Sequence, residues 1–407
     1  MRRIYIFILA MLFLTSCEKN STENRPTLKL YGDALEDIGY SISMTENGYY
    51  LGGQITEVIR NKANYIETDS SVSRMAVIKT DRNGNRIWEH SFGENAAVGT
   101  KVLALQDGSV ISTGYVLDAV NQKDIYVVKV SADGLSFSEK IYTEYGNQYG
   151  IDILQTTEGF MILGSTDKAR EGTADSIGNA SGKSDIYLLR IDNNLEPLSA
   201  VANGWPGNDQ AVAIKNDING GYVITGTTDN SWPNQDFSNI FILKTNLYGE
   251  PTMIRIIGTP DYEYASDLEV LDDGYLIAGI VGREGSDQWV YLSRIPDDIF
   301  SNTVITTKFK VSSAYSTASS FAVRAISRYS TDSFVMAGQA GTGTSAKMLI
   351  FVTDAEGKQV PGKEMISSAT GVQVAYDVIS DETDEIIAIG KNSFENNSMI
   401  SLFKIRF

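Results

Sequence analysis

The hydrophobic positions of this chain recur as two short phrases that alternate along most of its length. The first phrase opens on glycine and an aromatic residue, continues with apolar residues and closes on glycine. Its clearest copies are Gly48-Tyr-Tyr-Leu-Gly-Gly53, Gly159-Phe-Met-Ile-Leu-Gly164, Gly221-Tyr-Val-Ile-Thr-Gly226 and Gly274-Tyr-Leu-Ile-Ala-Gly279. Looser copies close at Gly114, Gly338 and Gly390, so that successive closing glycines lie 50 to 62 residues apart. Seven copies at such a period indicate a repeat architecture built from one supersecondary unit.

A second apolar phrase follows each copy of the first. It is rich in β-branched and aromatic residues and is bounded by Gly, Asn and Asp, a composition typical of β-strands. Its seven copies begin at Met75, Asp124, Asp185, Asn239, Trp289, Lys347 and Met399. Each repeat therefore contributes at least two buried strands.

Two further strands separate the second phrase from the next first phrase, as in residues 86–92 and 100–105. Asn83-Gly84 and Asp133-Gly134 fit tight hairpin turns, because these residues tolerate the positive φ that such turns require. Four antiparallel strands repeated seven times predict a seven-bladed, all-β propeller. The last copy stops at Phe407 after three strands, and Leu28-Lys-Leu-Tyr-Gly32 resembles the outer strands elsewhere, such as Met253-Ile-Arg-Ile-Ile-Gly258. We therefore expect one propeller domain over residues 28–407, closed by an N-terminal strand that completes the last blade.

The chain begins with a charged pair, Arg2 and Arg3, followed by an apolar run over residues 4–13 and then Leu14-Thr15-Ser16-Cys17. The order is that of a secretory signal, and the apolar run is too short to span a bilayer as a helix. Its last four residues resemble the lipobox of bacterial lipoproteins. The resemblance implies cleavage before Cys17, its acylation with chains such as palmitate, and attachment to the outer membrane on either side.

By this interpretation residues 1–16 are a lipoprotein signal peptide, and residues 17–27 are the lipidated cysteine and a polar tether. Cys17 is the only cysteine, which excludes a disulfide within the chain. Without the leader, the chain has 32 basic and 51 acidic side chains. A surface this acidic repels phosphate backbones, so we expect no nucleic-acid partner.

The repeat itself resembles the GYxxxGxT...DxYLxKxDxxGxxxWxxxFG units of bacterial secreted propellers. These are frequent among lipoproteins of the Bacteroidota and are loosely related to kelch-type and quinoprotein-type propellers. The resemblance implies a fold and not an activity, because propellers host many unrelated functions. The segment from Thr80 to Trp88 departs from the sialidase Asp-box in the order of its Asp, Gly and hydroxyl residues, so no sialidase residues are carried over.

Familiar catalytic and metal motifs are missing from the sequence. The only histidine, His90, falls on an outer strand, and one histidine without a free cysteine cannot form a zinc site. The segment from Asp81 to Asn85 begins like a calcium loop, but Arg86 replaces the required glycine and Phe92 the closing glutamate, which favours a hairpin turn. We expect neither a metal nor a cofactor.

Candidate binding residues fall on the top face, where the connections from the second to the third strand of each blade, and from one blade to the next, emerge. Long connections are expected at residues 57–74, 167–184 and 229–238, and long loops on a rigid scaffold tend to carry function. Trp205 and Trp232 fall on the same side of blade 4, where they could form a platform for the apolar faces of sugars. The polar residues beside them, suited to sugar hydroxyls, are Asp229, Asn230, Asn234, Gln235 and Asp236. In the alternative interpretation the two tryptophans only pin loops to the blade.

A second set of polar residues opens the innermost strands: Asp37, Gln148, Asp209, Glu263 and Gln373. They could ring the mouth of the channel, or they could bond neighbouring backbone. A glycoside hydrolase needs a carboxylate pair, for which Glu263 with Asp209 or Asp37 are the candidates. The sequence favours a non-catalytic envelope lipoprotein that binds glycan or a partner protein through its top face, with the hydrolase as the alternative.

Overall fold

A computed structural model describes residues 26–33, 35–63, 66–144, 146–167, 184–205, 207–229, 237–283, 286–312, 318–395 and 397–407, with backbone alone for residues 60–63 and 66–69. These residues form 28 β-strands and one short 3-10 turn, Gly343–Ser345. The strands make seven four-stranded antiparallel sheets, each one blade, and the predicted β-propeller is confirmed. Among the described residues, no helix has the length and apolar character needed to cross a bilayer.

Within each blade, chain order runs from the innermost to the outermost strand, except that β1 is the outermost strand of blade 7. Blade 1 consists of β2 (Ile38–Thr45), β3 (Gly48–Ala63), β4 (Ile66–Asp81) and β5 (Arg86–Phe92), and blade 2 of β6 (Ala97–Ala104), β7 (Val110–Leu117), β8 (Lys123–Val130) and β9 (Phe137–Tyr142). Blade 3 consists of β10 (Gln148–Gln155), β11 (Gly159–Thr166), β12 (Asp185–Asp192) and β13 (Pro197–Asn203), and blade 4 of β14 (Asp209–Asn216), β15 (Tyr222–Thr228), β16 (Asn239–Thr245) and β17 (Pro251–Ile257). Blade 5 consists of β18 (Glu263–Leu271), β19 (Gly274–Val281), β20 (Trp289–Pro296) and β21 (Ile305–Phe309), and blade 6 of β22 (Phe321–Ser330), β23 (Ser333–Ala340), β24 (Lys347–Asp354) and β25 (Gln359–Ile366). Blade 7 consists of β26 (Val372–Ser380), β27 (Ile386–Phe394), β28 (Asn397–Ile405) and β1 (Thr27–Tyr31).

The ring closes as the sequence predicts. Strand β1 pairs antiparallel with β28, from Thr27 opposite Lys404 to Tyr31 opposite Ile400. The Tyr31 hydroxyl also donates a 2.7 Å hydrogen bond to the Gly84 carbonyl of blade 1. The N-terminal strand therefore joins the last blade to the first.

The two apolar phrases form the second and third strands of the blades and are buried on both faces. Every residue of β11 is buried, for example, and so are six consecutive residues of β16. The hydrophobic clusters lie between neighbouring blades, as in the cluster that joins blades 6 and 7 around Val335, Ile350 and Val378. A strand that packs against a blade on either side has no polar face, which explains why these phrases read as continuous apolar runs.

Every innermost strand contains a β-bulge near its top end, directly after the residue that faces the closing glycine of the first phrase. A bulge inserts one unpaired residue and re-aims its side chain. The bulged residues are Tyr40, Thr100, Ile151, Val212, Ser266, Arg324 and Tyr376. They give the channel mouth a ring of side chains that the alternation of a regular strand would not place there.

Directly after the bulges, carboxylates link neighbouring blades by hydrogen bonds. Asp152, Asp267 and Asp377 occupy the same position in blades 3, 5 and 7, and each accepts the N–H of its own next residue at 2.8–2.9 Å. Each also accepts an N–H from the following blade, at 3.1, 3.0 and 3.1 Å, donated by Ile214, Ile326 and Ile42. These bonds link blade 3 to blade 4, blade 5 to blade 6, and, across the ring closure, blade 7 to blade 1.

The connection predicted as a loop over residues 57–74 is instead a continuation of the sheet. Strands β3 and β4 each run for 16 residues and stay paired to Ala63 opposite Ile66. The segment includes the β-branched residues Val58, Ile59 and Val72, and this composition supports a two-stranded ribbon rather than a loop. Blade 1 therefore carries a β-ribbon in place of an irregular top connection.

Candidate binding site, a tyrosine-lined bowl at the channel mouth

The top of the channel opens into a bowl of about 520 Å³. Its wall combines bulged residues with their neighbours on the first three strands of the blades. Four tyrosines, Tyr40, Tyr115, Tyr149 and Tyr376, line it together with Lys123, Arg324, Val98, Thr100, Ile151, Gln210, Ala211 and Val212. The described lining thus contains aromatic rings, amide and hydroxyl groups and two cations, but no carboxylate.

The tyrosines form two pairs from different blades. Tyr40 and Tyr376 meet edge to face across the ring closure, with 5.1 Å between ring centroids. Tyr115 and Tyr149 meet in the same manner at 6.5 Å. Burial, followed by the neighbouring Tyr376 and Tyr115, raises the pKa of Tyr40, and burial raises the pKa of Tyr115. Both hydroxyls therefore stay protonated at neutral pH and remain hydrogen-bond donors.

Each tyrosine pair holds one cation. The Lys123 ammonium lies 4.4 Å from the ring of Tyr115 and 5.0 Å from that of Tyr149. The Arg324 guanidinium lies 5.1 Å from the ring of Tyr376 and donates to Gln339 at 3.3 Å. Within the part of the chain that the structure describes, neither cation has a carboxylate partner. Among the described residues, therefore, two cations without acid partners face the cavity of a protein whose net charge is −17.

Lysine and aspartate fill the channel beneath the bowl. Lys101 lies 3.2 Å from Asp377, and although burial disfavours its charge, Asp377, Asp152 and Asp267 together raise its pKa. Lys215 lies 3.5 Å from Glu269. Both lysines therefore have acid partners, unlike the two cations of the bowl.

The acidic residues predicted to ring the mouth lie outside the bowl lining. Asp37 accepts the N–H groups of Asp33 at 3.0 Å and Thr56 at 2.8 Å, and Asp209 accepts that of Trp205 at 2.5 Å. Both aspartates are fully buried, and burial raises the pKa of Asp209 to about 6. They bond backbone groups at the top of their own blade or in the segment that leads into it.

The other members of that set lie in the same kind of position. Glu263 is fully buried, accepts the Thr259 N–H at 3.0 Å and pairs with Lys308 at 2.9 Å. Gln373 bonds the Ser367 hydroxyl, and Gln148 donates to Thr166 at 3.2 Å. The carboxylates considered for hydrolysis thus lie in three different blades, each engaged with local groups, and none lines the bowl.

Only part of the predicted blade 4 platform lies within the described residues. Trp205 packs into the core between blades 3 and 4, with its ring 5.6 Å from Phe241. Asp229 accepts from the backbone and side chain of Asn208 at 2.6 and 2.8 Å. The remaining residues of that prediction, and the lipidation site, lie outside the described residues: Asn230, Trp232, Asn234, Gln235, Asp236 and Cys17.

The motifs set aside at the sequence level have structural roles. His90 bonds the Gly134 carbonyl at 2.8 Å and lies between Trp88 and Phe92 on β5. Asp81 caps a hairpin turn by accepting the N–H groups of Asn83 and Asn85 at 2.8 and 2.7 Å. Within the described ranges, no group of three or more His, Cys, Asp or Glu side chains could hold a metal ion.

Sequence reasoning missed the bowl because its residues share no motif. They belong to six different repeats, and the bulge that brings them together is invisible in the hydrophobic pattern. One signal in the sequence could have found it. Tyr40 and Tyr376 each lie two residues after a buried apolar residue near the start of the innermost strand. At this bulged position most other repeats have a small or aliphatic residue.

No family model matches the chain, and a search of curated proteins found no match. Among solved structures, Sqt1 from Chaetomium thermophilum bound to the N-terminus of ribosomal protein L10 is 9% identical, with 93% of this chain and 98% of that chain covered and a TM-score of 0.48. A puromycin hydrolase mutant complexed with PGG is 11% identical over 87% of this chain and 50% of that chain, with a TM-score of 0.49. A subtype N10 neuraminidase-like protein from a little yellow-shouldered bat isolate is 10% identical over 74% and 92%, with a TM-score of 0.44. These likenesses concern the β-propeller fold alone.

Proposed function

We propose that this chain is a non-catalytic lipoprotein of the bacterial cell envelope that binds a glycan in the bowl of its top face. The observation that carries the proposal is the composition of the bowl: four tyrosines and two cations without acid partners among the described residues, around a cavity of about 520 Å³. A pocket of this size falls within the range of small-ligand sites, about 300–1,000 Å³.

The chemistry of the wall suits sugars that carry a carboxylate. Tyrosine rings pack on the apolar C–H faces of a pyranose, and their hydroxyls bond its oxygens. Lys123 and Arg324 supply charge-assisted hydrogen bonds for a carboxylate, which are stronger than neutral ones. No carboxylate belongs to the described lining of the bowl, so this lining lacks the pair of carboxylic acids that most glycoside hydrolases use. Binding without turnover is the activity that this set of side chains supports.

The test is a glycan-array screen of soluble residues 24–407 beside the double variant Tyr149→Ala, Tyr376→Ala. The two tyrosines belong to different pairs of the bowl, so that the variant removes both stacking faces. Tyr248→Ala is the matched control, because Tyr248 is 60% exposed on the opposite face of the propeller. We expect binding of uronic-acid or sialic-acid glycans by the wild type and the control, and its loss in the double variant.

The absence of glycan binding by folded wild-type protein would overturn the proposal and direct the search to protein partners. Binding that survives in the bowl variant but is lost in Trp205→Ala, Trp232→Ala would place the site on blade 4 instead. Turnover of a bound glycan that disappears in Glu263→Gln would restore the hydrolase alternative.

The membrane attachment is proposed on the leader alone. Lipidation of Cys17 and the polar tether after it would hold the propeller at the outer membrane, on a side that the leader does not specify. We expect radiolabelled palmitate to enter the wild-type protein, and Cys17→Ala to abolish labelling and release the protein from the membrane fraction. A Cys17→Ala protein that remains membrane-bound would contradict the lipid anchor.

A further inference from the structure

A second cavity, of about 300 Å³, lies between blades 6 and 7 and opens to solvent on one side. Met348 and Met365 of blade 6 form one wall, and Leu28 and Phe403 of blade 7 form the other. Asn392 and Ser401 close the inner end. The cavity is therefore apolar along its walls and polar at its base, and it lies apart from the bowl.

Beside this cavity, blade 7 departs from the repeat at one position. In the third strand of each blade, one residue pairs with the closing glycine of the first phrase and points toward the preceding blade. In blades 2 to 6 that residue is Tyr126, Tyr187, Phe241, Tyr291 and Leu349. In blade 7 it is Ser401, opposite Gly390.

Elsewhere in the ring this position fills the space between blades. Tyr126, Phe241 and Tyr291 are each at most 1% exposed and belong to the core clusters between their blade and the preceding one. Blade 1 also has a small residue there, Ala76, but its cluster includes the ring of Tyr31 from the closing strand. Blade 7 has only a serine at this position, and Ser401 lies at the lining of the cavity.

Two buried polar atoms at the base of the cavity lack partners among the described residues. The Ser401 hydroxyl and the Asn392 carbonyl oxygen are buried, in residues that are 0% and 2% exposed, and neither has a hydrogen-bond partner there. A buried polar group without a partner is costly, and its site favours an occupant that supplies the missing bond. In blade 2, by contrast, the Tyr126 hydroxyl bonds Glu139.

We propose that this cavity binds a phenol ring supplied from outside the chain, in the place that a tyrosine of the chain itself fills in blades 2, 3 and 5. The ring packs between the two methionines and Phe403, where thioether–aromatic contacts are favourable. The phenol hydroxyl lies at the base of the cavity, where a small shift of the neighbouring side chains lets it donate to the Asn392 oxygen and bond the Ser401 hydroxyl. An apolar cavity of roughly 150 Å³ is known to bind benzene, so that the space between the blades is ample for one ring. The ring comes either from a free phenol or from a tyrosine of a partner protein.

The test titrates p-cresol, toluene and N-acetyl-tyrosinamide into residues 24–407 and follows binding by calorimetry and by the methionine methyl NMR signals. We expect p-cresol to bind with a Kd of about 1 mM or tighter, and about fivefold more tightly than toluene, which lacks the hydroxyl. Ser401→Phe fills the cavity and should weaken p-cresol binding by at least about tenfold. Ser401→Leu, which copies blade 6, serves if the phenylalanine variant does not fold, and Ser71→Phe at an exposed position of β4 is the matched control.

The probes distinguish the two sources of the ring. Binding of N-acetyl-tyrosinamide as well as p-cresol supports a tyrosine side chain of a partner, whereas binding of p-cresol alone supports a free phenol. The absence of p-cresol binding up to about 5 mM, or binding that Ser401→Phe and Ser401→Leu leave unchanged, overturns the proposal. Neither result depends on whether the bowl binds a glycan.

Discussion

At the scale of single residues, Asp267 is held in an environment that opposes its charge. Burial raises its pKa to about 6, although Lys215 and Lys101 act to lower it. In the unfolded chain the same carboxyl titrates near 3.8. Between these two values the folded protein holds a proton that the unfolded chain has released. The stability that this proton contributes is complete below about pH 4 and is lost as the pH rises to about 6.

Replacement of Asp267 by Asn should therefore change the pH dependence of stability. From pH 4 to pH 6.5 the free energy of unfolding of the variant, relative to wild type, should rise by up to about 3 kcal/mol, since asparagine carries no proton to lose. Urea unfolding at intervals of pH measures this difference. Parallel curves for the two proteins across the whole window would contradict the raised pKa. Asp332→Asn is the control, because Asp332 is exposed.

The two cations of the bowl should determine the charge preference of its ligand. Arg324→Gln combined with Lys123→Met leaves the tyrosine rings in place but removes the attraction for a carboxylate. We expect affinity for a carboxylated glycan to fall by about tenfold or more and its dependence on salt to weaken, with little change for the neutral analogue. Equal losses for both glycans would indicate that the cations support the rings and do not contact the ligand. Lys391→Met, outside the bowl lining, is the control.

At the scale of the strand, the carboxylates of blades 3, 5 and 7 accept backbone N–H groups that have no partner strand, because the blades are arranged in a ring. Innermost strands of neighbouring blades diverge around the channel, so that an N–H facing this gap cannot pair with a strand. Asp152 supplies the missing acceptor for the N–H groups of Ile153 and Ile214, at 2.8 and 3.1 Å. One side chain thereby satisfies two buried donors and ties two blades together.

Truncation of Asp152 to alanine should orphan both donors. We expect a loss of about 2–4 kcal/mol in the free energy of unfolding, because each buried N–H left without a partner costs about 1–3 kcal/mol. Asp152→Asn keeps one acceptor oxygen and should lose about half as much. Equilibrium unfolding in urea compares these variants with Asp332→Ala at an exposed site, and an alanine variant as stable as wild type would disprove the stitching role.

The strands themselves are predictable from the sequence, and their irregularities are not. Continuous apolar phrases such as residues 159–164 identify buried strands because both faces of a blade pack against neighbours. The bulges at Tyr40 and Tyr376 escape prediction, since one extra residue in an innermost strand leaves the apolar phrases of the other strands unchanged. The ribbon of residues 57–63 and 66–72 resembles a loop in the sequence, because its polar residues obscure the pairing of β3 with β4.

At the scale of the whole molecule, stability depends on closing the ring. Strand β1 covers the edge of β28, and Tyr31 inserts into the core between blades 7 and 1. An exposed strand edge is a template for pairing with another chain. The N-terminal strand thus completes the fold and shields the edge strand of the last blade.

Deletion of residues 26–31 should destabilise the protein and cause it to self-associate. Removal of the buried Tyr31 ring alone costs about 3–5 kcal/mol by analogy with other buried aromatic residues. The exposed edge of β28 should then produce dimers, detectable by light scattering during size-exclusion chromatography. Lys29→Ala, on the exposed side of β1, is the control, and a deletion variant that stays monomeric with unchanged unfolding would contradict the closure model.

The sequence by itself determined the architecture, because every repeat must bury the same apolar strands and turn at the same Gly, Asn and Asp positions. It also determined the closure of the ring, through an outer strand missing at one end and present at the other. The binding features depended on the tertiary structure. The bowl assembles side chains from six of the seven blades, and the blade 6–7 cavity lies beside a serine at a position that tyrosines occupy in blades 2, 3 and 5. Both are properties of how repeats meet, and contacts between repeats distant in the chain leave no periodic trace in its sequence.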